Sequence, residues 1–149
     1  MILNTAGQTI QAEANTASAI TITIFGLEKS GGSNSFKTLG QAQLTGPGTQ
    51  DVLYTLPAST ETAISKIVIS NTSASNATVN LWLVPNAGTA ADTNNLLKNL
   101  PIGSTESKIW TRDDFSSSNP NVITTLSDLS DVTSATPTAG NLLIADGSN

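Results

Sequence analysis

The sequence predicts an all-β protein. An antiparallel β-sandwich of about seven or eight strands over residues 1–111 is followed by an extended Ser/Asp-rich connector over 112–149. Three observations carry the prediction. Short runs with a period of two recur along the first part of the chain. β-Branched residues crowd within those runs, as pleated strands favour. Clusters of Gly, Pro, Asn and Ser separate them at regular spacing.

From the N-terminus, residues 1–16 are polar, with Ile2, Leu3 and Ile10 interspersed. They read as a first strand of the domain or as an arm for a neighbouring subunit, with the strand ahead. Residues 17–27 (ASAITITIFGL) alternate cleanly: Ile20, Ile22 and Ile24 face one way, Thr21, Thr23 and Phe25 the other, and Gly26 marks a bulge or bend. The run EKSGGSNS is a hairpin connection into a weaker strand over 36–45, which Gly46-Pro47-Gly48 ends.

The stretch 51–85 holds the three central strands. In 51–56, Val52, Tyr54 and Leu56 share a face. In 62–70, Ile67 and Ile69 fall with Ala63 and Ser65, and Ile64 and Val68 with Lys66, so both faces are apolar and the strand is central or covered by a neighbour. In 77–84, Ala77, Val79, Leu81 and Leu83 form the inward row, opposite Thr78, Asn80 and Trp82. Six small or polar residues, 71–76, join the last two strands. After a polar loop, residues 94–102 are either a strand or a helical turn. Residues 104–111 form a closing strand with Ile109 inward and Trp110 at its end.

Composition changes after Trp110. SSSNPN reads as a linker, and LSDLSDV places Leu126, Leu129 and Val132 at every third position. Neither a helix nor a strand keeps that row on one face, but a 3₁₀ turn or a three-fold-wound extended segment does. Three chains around one axis would bury it together; a single loop packing on its own domain is the equal alternative. The connector has too few apolar residues for a core of its own.

Bulk properties narrow the function classes. The net charge is −5, with six basic residues, which argues against nucleic-acid binding, where Lys and Arg neutralise phosphates. No apolar run reaches the length of a bilayer span and no basic amphipathic helix is evident, so no membrane partner is expected. The N-terminus lacks the charged and apolar regions of a signal peptide, so synthesis and assembly in a cytoplasm are expected. With no cysteine and no histidine, thiolate and imidazole metal sites and Ser-His-Asp chemistry have no residues to work with.

Asp128 and Asp131 are a carboxylate pair for glycoside hydrolysis or Ca²⁺ only in a converging turn, and turn capping accounts for them more simply. No phosphate-binding glycine motif is present. The expected catalytic, cofactor and metal residues are therefore none. The candidate subunit contacts are Trp82, Trp110, Leu126, Leu129 and Val132. Trp82 leads, because a tryptophan on a polar strand face leaves a large apolar area in water unless a neighbouring copy, a second sheet or a glycan covers it.

Two stretches resemble one family. Leu53-Tyr54-Thr55, Pro57, Asn71-Thr72 and the strand 77–83 resemble small β-sandwich modules of tailed-bacteriophage virion proteins. The run LSDLSDVTSATPTAGNLLIADGSN is similar to a segment recurrent in phage tail fibres and other virion appendages. There the segment continues to a Trp that this sequence does not reach, so the N-terminal part of a longer fibre is expected. The resemblance implies a non-enzymatic structural protein located in the virion and assembled in the host bacterial cytoplasm. It implies a homotrimer that anchors a tail or neck fibre to other virion proteins of head, neck or tail. A capsid decoration or cement protein, or a head fibre, is the alternative, and a carbohydrate-binding adhesin the third.

Overall fold

Alternating apolar and polar residues fold here into two stacked antiparallel sheets. The structure is a computed structural model and describes residues 1–111. The expected connector, with Leu126, Leu129 and Val132, lies outside the described residues. The strands are β1 (Ile2–Leu3), β2 (Thr9–Ala14), β3 (Ile20–Ser30), β4 (Ser33–Gln43), β5 (Asp51–Thr55), β6 (Thr60–Asn71), β7 (Ala77–Val84), β8 (Asn95–Ile102) and β9 (Ser107–Thr111). The first sheet runs β1-β6-β3-β4, with β9 also on β6, and the second runs β5-β2-β7-β8. The all-β sandwich is as the sequence predicts.

The core lies between the sheets. Ile20, Ile22 and Ile24 of β3 and Ile64, Ile67 and Ile69 of β6 are buried on one side. Ile10, Ala12 and Ala14 of β2 meet Val79 and Leu81 of β7 on the other. Residues 1–16 belong to the domain: β1 pairs with β6, and β2 is a central strand between β5 and β7. Residues 95–102 are a strand, preceded by a single 3₁₀ turn, Asp92–Asn94.

The hairpin is longer than its composition suggests. Gly31 and Gly32, with φ of 56° and 85°, make the two-residue turn between Ser30 and Ser33. Two successive positive φ values match the right-handed strand twist, and glycine adopts them without steric cost. EKSGGSNS is therefore mostly strand, with the turn confined to its glycines.

Bulges correct two of the face assignments drawn from periodicity. Between Phe25 and Gly26 the partner on β6 steps from Lys66 to Ile64, leaving Ser65 unpaired. The extra residue resets the phase, so Ile64 joins Ile67 and Ile69 in the core while Ala63 turns outward. Between Ile24 and Phe25 the partner on β4 steps from Gly40 to Thr38, leaving Leu39 over. On β5, Leu53 is the extra residue opposite Ile10 and Gln11. Leu53 and Tyr54 are consequently both buried and Val52 stands out, instead of sharing Tyr54's face. The closing strand is also reversed. Trp110, opposite Ile67, packs on the core, and Ile109, opposite Val68, is 58% exposed.

Gly26 and Gly40 sit where this bent sheet approaches other backbone. A Cβ on Gly26 would lie 2.5 Å from the Ala63 carbonyl oxygen, and one on Gly40 would collide with the Leu53 carbonyl oxygen. Backbone cannot swing aside as a side chain can. Gly26→Ala is therefore expected to destabilise the domain by about 1–3 kcal/mol, measured by urea denaturation. Gly31→Ala, whose Cβ meets nothing within 4 Å, carries only the cost of its positive φ.

Candidate functional site

One cluster of polar side chains bridges the two sheets near their β4 and β5 edges. Glu28 of β3 and Thr62 of β6 project inward from the first sheet, and Tyr54 of β5 reaches across from the second. The Tyr54 hydroxyl donates to Glu28 Oε2 at 3.0 Å and lies 2.8 Å from Thr62 Oγ1. With the phenolic proton committed to Glu28, the Thr62 hydroxyl donates to Tyr54. Lys37 Nζ of β4 donates to Glu28 Oε1 at 2.7 Å. Tyr54 and Thr62 are buried, so their hydroxyls need these partners. The phase shift at Leu53 is what turns Tyr54 inward to make them.

Beside this cluster lies an open groove of about 470 Å³, lined by Glu28, Lys37, Leu39, Leu53, Tyr54 and Pro57 among others. The hydrogen bond from Lys37 holds the Glu28 carboxyl below its ordinary range, against the opposing effect of burial and with help from Tyr54. Burial raises the Tyr54 phenol; the Thr62 hydrogen bond opposes this and Glu28 adds to it. Both carboxylate oxygens are engaged, one by an ammonium and one by a phenol. The arrangement is a clasp between sheets, its charges and protons spent on one another.

A second polar cluster ties the opposite end. Asn71, 3% exposed, donates from Nδ2 to the carbonyls of Ser75, Ile102 and Gly103 at 2.7, 3.2 and 3.0 Å. Its Oδ1 accepts from the Ser73 backbone at 2.9 Å and the Ser73 hydroxyl at 2.8 Å. The Asn in the expected turn is thus a buried brace from β6 to the end of β8. Among the described residues, no group of three or more His, Cys, Asp or Glu is placed to hold a metal ion.

Trp82 is not exposed, contrary to the expectation from strand alternation. It lies on the outer face of β7, opposite Gln11 and Asn95, yet it is 7% exposed, and Val84 on the same face is 1% exposed. The 3₁₀ turn Asp92–Asn94, which leads into the Asn95 partner of Trp82, lies close to that strand. The Trp82 indole Nε1 is buried without a hydrogen-bond partner. Trp110 packs partly against the core. The apolar surface left open lies elsewhere, at Ile2, Leu27, Phe36, Val52 and Ile109. Of these, periodicity placed Ile109 inward and Val52 on the face of Tyr54, and the others carried no signal beyond being apolar.

No protein-family model, curated protein sequence or solved structure matches the chain.

The clasp gives two expected outcomes. Tyr54→Phe strands the buried Thr62 hydroxyl and is expected to cost about 1–3 kcal/mol in chemical denaturation. A folded-state carboxylate pKa below the unfolded value adds stability above the unfolded value, lost as pH falls through the folded one. Glu28→Gln should therefore flatten the acid limb of a stability–pH curve. Tyr54 has the opposite sign, its stabilisation being complete below the unfolded phenol value and lost as pH rises through the folded one.

Proposed function

We propose that the chain is a non-enzymatic structural protein of a tailed-phage virion. In this reading it is the N-terminal anchoring part of a homotrimeric tail or neck fibre, in contact with other virion proteins. The observation that carries the reading is the succession along one chain of two resembling stretches. A β-sandwich containing Leu53-Tyr54-Thr55, Pro57 and the Ala77–Val84 strand is followed by the segment LSDLSDV.

The groove chemistry supports it from another direction. The Glu28 carboxylate, the Lys37 ammonium and the Tyr54 phenol satisfy one another and brace the sheets. The low charge, six basic and eleven acidic residues in 149, suits a protein whose contacts are hydrogen-bonded and apolar. Such contacts also keep their strength at high salt, where ionic ones are screened.

The test is gold labelling of phage particles with an antibody raised against residues 1–111, viewed by electron microscopy. Label confined to the neck or tail is expected. Label spread over the head would replace the fibre reading with a capsid decoration protein or head fibre. If neither intact nor disrupted particles took label, the virion reading would be abandoned.

A further inference from the structure

Pairing register shows that the exposed apolar residues are not scattered. Ile2 pairs with Ala63, Ala63 with Leu27, and Leu27 with Phe36, across β1, β6, β3 and β4. Paired residues point to the same face, so these four form one row across the outer face of the first sheet. Phe25 and Val68 continue it on the next rows, ending at Ile109 of β9, opposite Val68. Four of the five exposed large apolar side chains of the described residues lie on this face, at 61% for Ile2, 39% for Leu27, 66% for Phe36 and 58% for Ile109.

We infer that the outer face of the first sheet is a self-association surface, on which a second copy of this chain packs over Phe36, Leu27, Ile2 and Ile109.

Charge and area select a second copy as the occupant. Copies with a net charge of −5 repel one another, and least where acids are scarce. By the same register, the outward positions of this sheet carry Lys29, Lys66 and Glu61 as their only charged residues. That is two bases and one acid in a chain of six and eleven. The Lys66 ammonium sits 4.7 Å from the centre of the Phe25 ring, a cation–π contact that keeps its stem along the apolar surface. The exposed fractions of the four side chains amount to roughly 400 Å² of apolar area, at the upper range for a monomer's largest patch. Two such faces together give about 800 Å², close to the apolar half of a standard interface of about 1,600 Å².

The surface also fits the fibre reading, on which its link to a fibre rests. Thr111, the last residue of β9, pairs with Lys66 of this sheet. Copies joined on this sheet would bring the ends of their β9 strands to the same interface.

The experiment is sedimentation equilibrium of the whole 149-residue chain at tens of micromolar. The native protein is expected at a multiple of 15.3 kDa. The double variant Phe36→Glu/Ile109→Glu is expected to sediment as a monomer with unchanged circular dichroism. Val52→Glu, changing a residue 56% exposed on the other sheet, should leave the native mass. A monomeric native chain overturns the inference, and if the double variant also exposed residues 112–149 to protease, the occupant would be the chain's own tail. An oligomer that withstands the double variant places the contact elsewhere and overturns the surface while leaving the fibre reading intact.

Should the double variant fail to fold, hydrogen–deuterium exchange on the native chain decides. Concentration-dependent protection of 25–38 and 107–111 supports the surface, and its absence overturns it. Gold labelling bears only on the virion reading, so the two failures are told apart.

Discussion

A crease across the first sheet sets the shape of the domain. Ser65 on β6 and Leu39 on β4 are both surplus to the ladder beside Phe25 of β3. Two bulges on either side of one strand bend all three together. Ser65 closes its own bulge by donating its hydroxyl to the Phe25 carbonyl at 3.1 Å. Past the crease Ile64 turns inward, Leu39 packs against the core, and Gly40 comes against Leu53. The first sheet is thereby brought to the second along β4 and β5, and Tyr54 can span the gap to Thr62 and Glu28. Without the crease, the phase of β6 would put Ile64 and Thr62 in water and take from the Tyr54 phenol its Thr62 partner.

The polar side chains then fasten what the apolar ones bury. Tyr54, Thr62 and Glu28 hold one end between sheets, and Asn71 holds the other. With few ionic groups, the domain relies on hydrogen bonds that survive because water is kept from them. The Lys37–Glu28 pair is the closest charged contact of the clasp, yet the lysine side chain is 45% exposed. Its contribution lies in orienting the carboxylate toward Tyr54 more than in Coulomb attraction, which water screens.

Periodicity made the strands legible but not every face. The strand at Ala77–Val84 and the start of the one at Asp51 are read directly from alternation. The arrangement of Ile20, Ile22 and Ile24 is read just as directly. Faces were lost wherever a bulge intervened, because one surplus residue inverts every side chain beyond it. Gly26 was the single sequence signal of the crease; Ser65, Leu39 and Leu53 gave none. Trp82 is a different case. Alternation places it on the outer face correctly, but no local pattern reveals that this position is only 7% exposed. The clasp was invisible because its members, Glu28, Tyr54 and Thr62, are brought together by pairing across separate strands.

The position of β2 bears on how the chain comes to be folded. It is the second strand to be made, and its neighbours in the sheet are the fifth and the seventh. Emerging from a ribosome at roughly 5–20 residues per second, it has no partner for several seconds. Its Ile10, Ala12 and Ala14 stay uncovered until Thr55 and then Val84 have emerged. Meanwhile the β3–β4 hairpin, closed by a two-residue turn, is able to form on its own. Folding of this domain is therefore dominated by distant pairings, which are slow to find, and the second sheet is complete only after the hairpin has long been waiting for it.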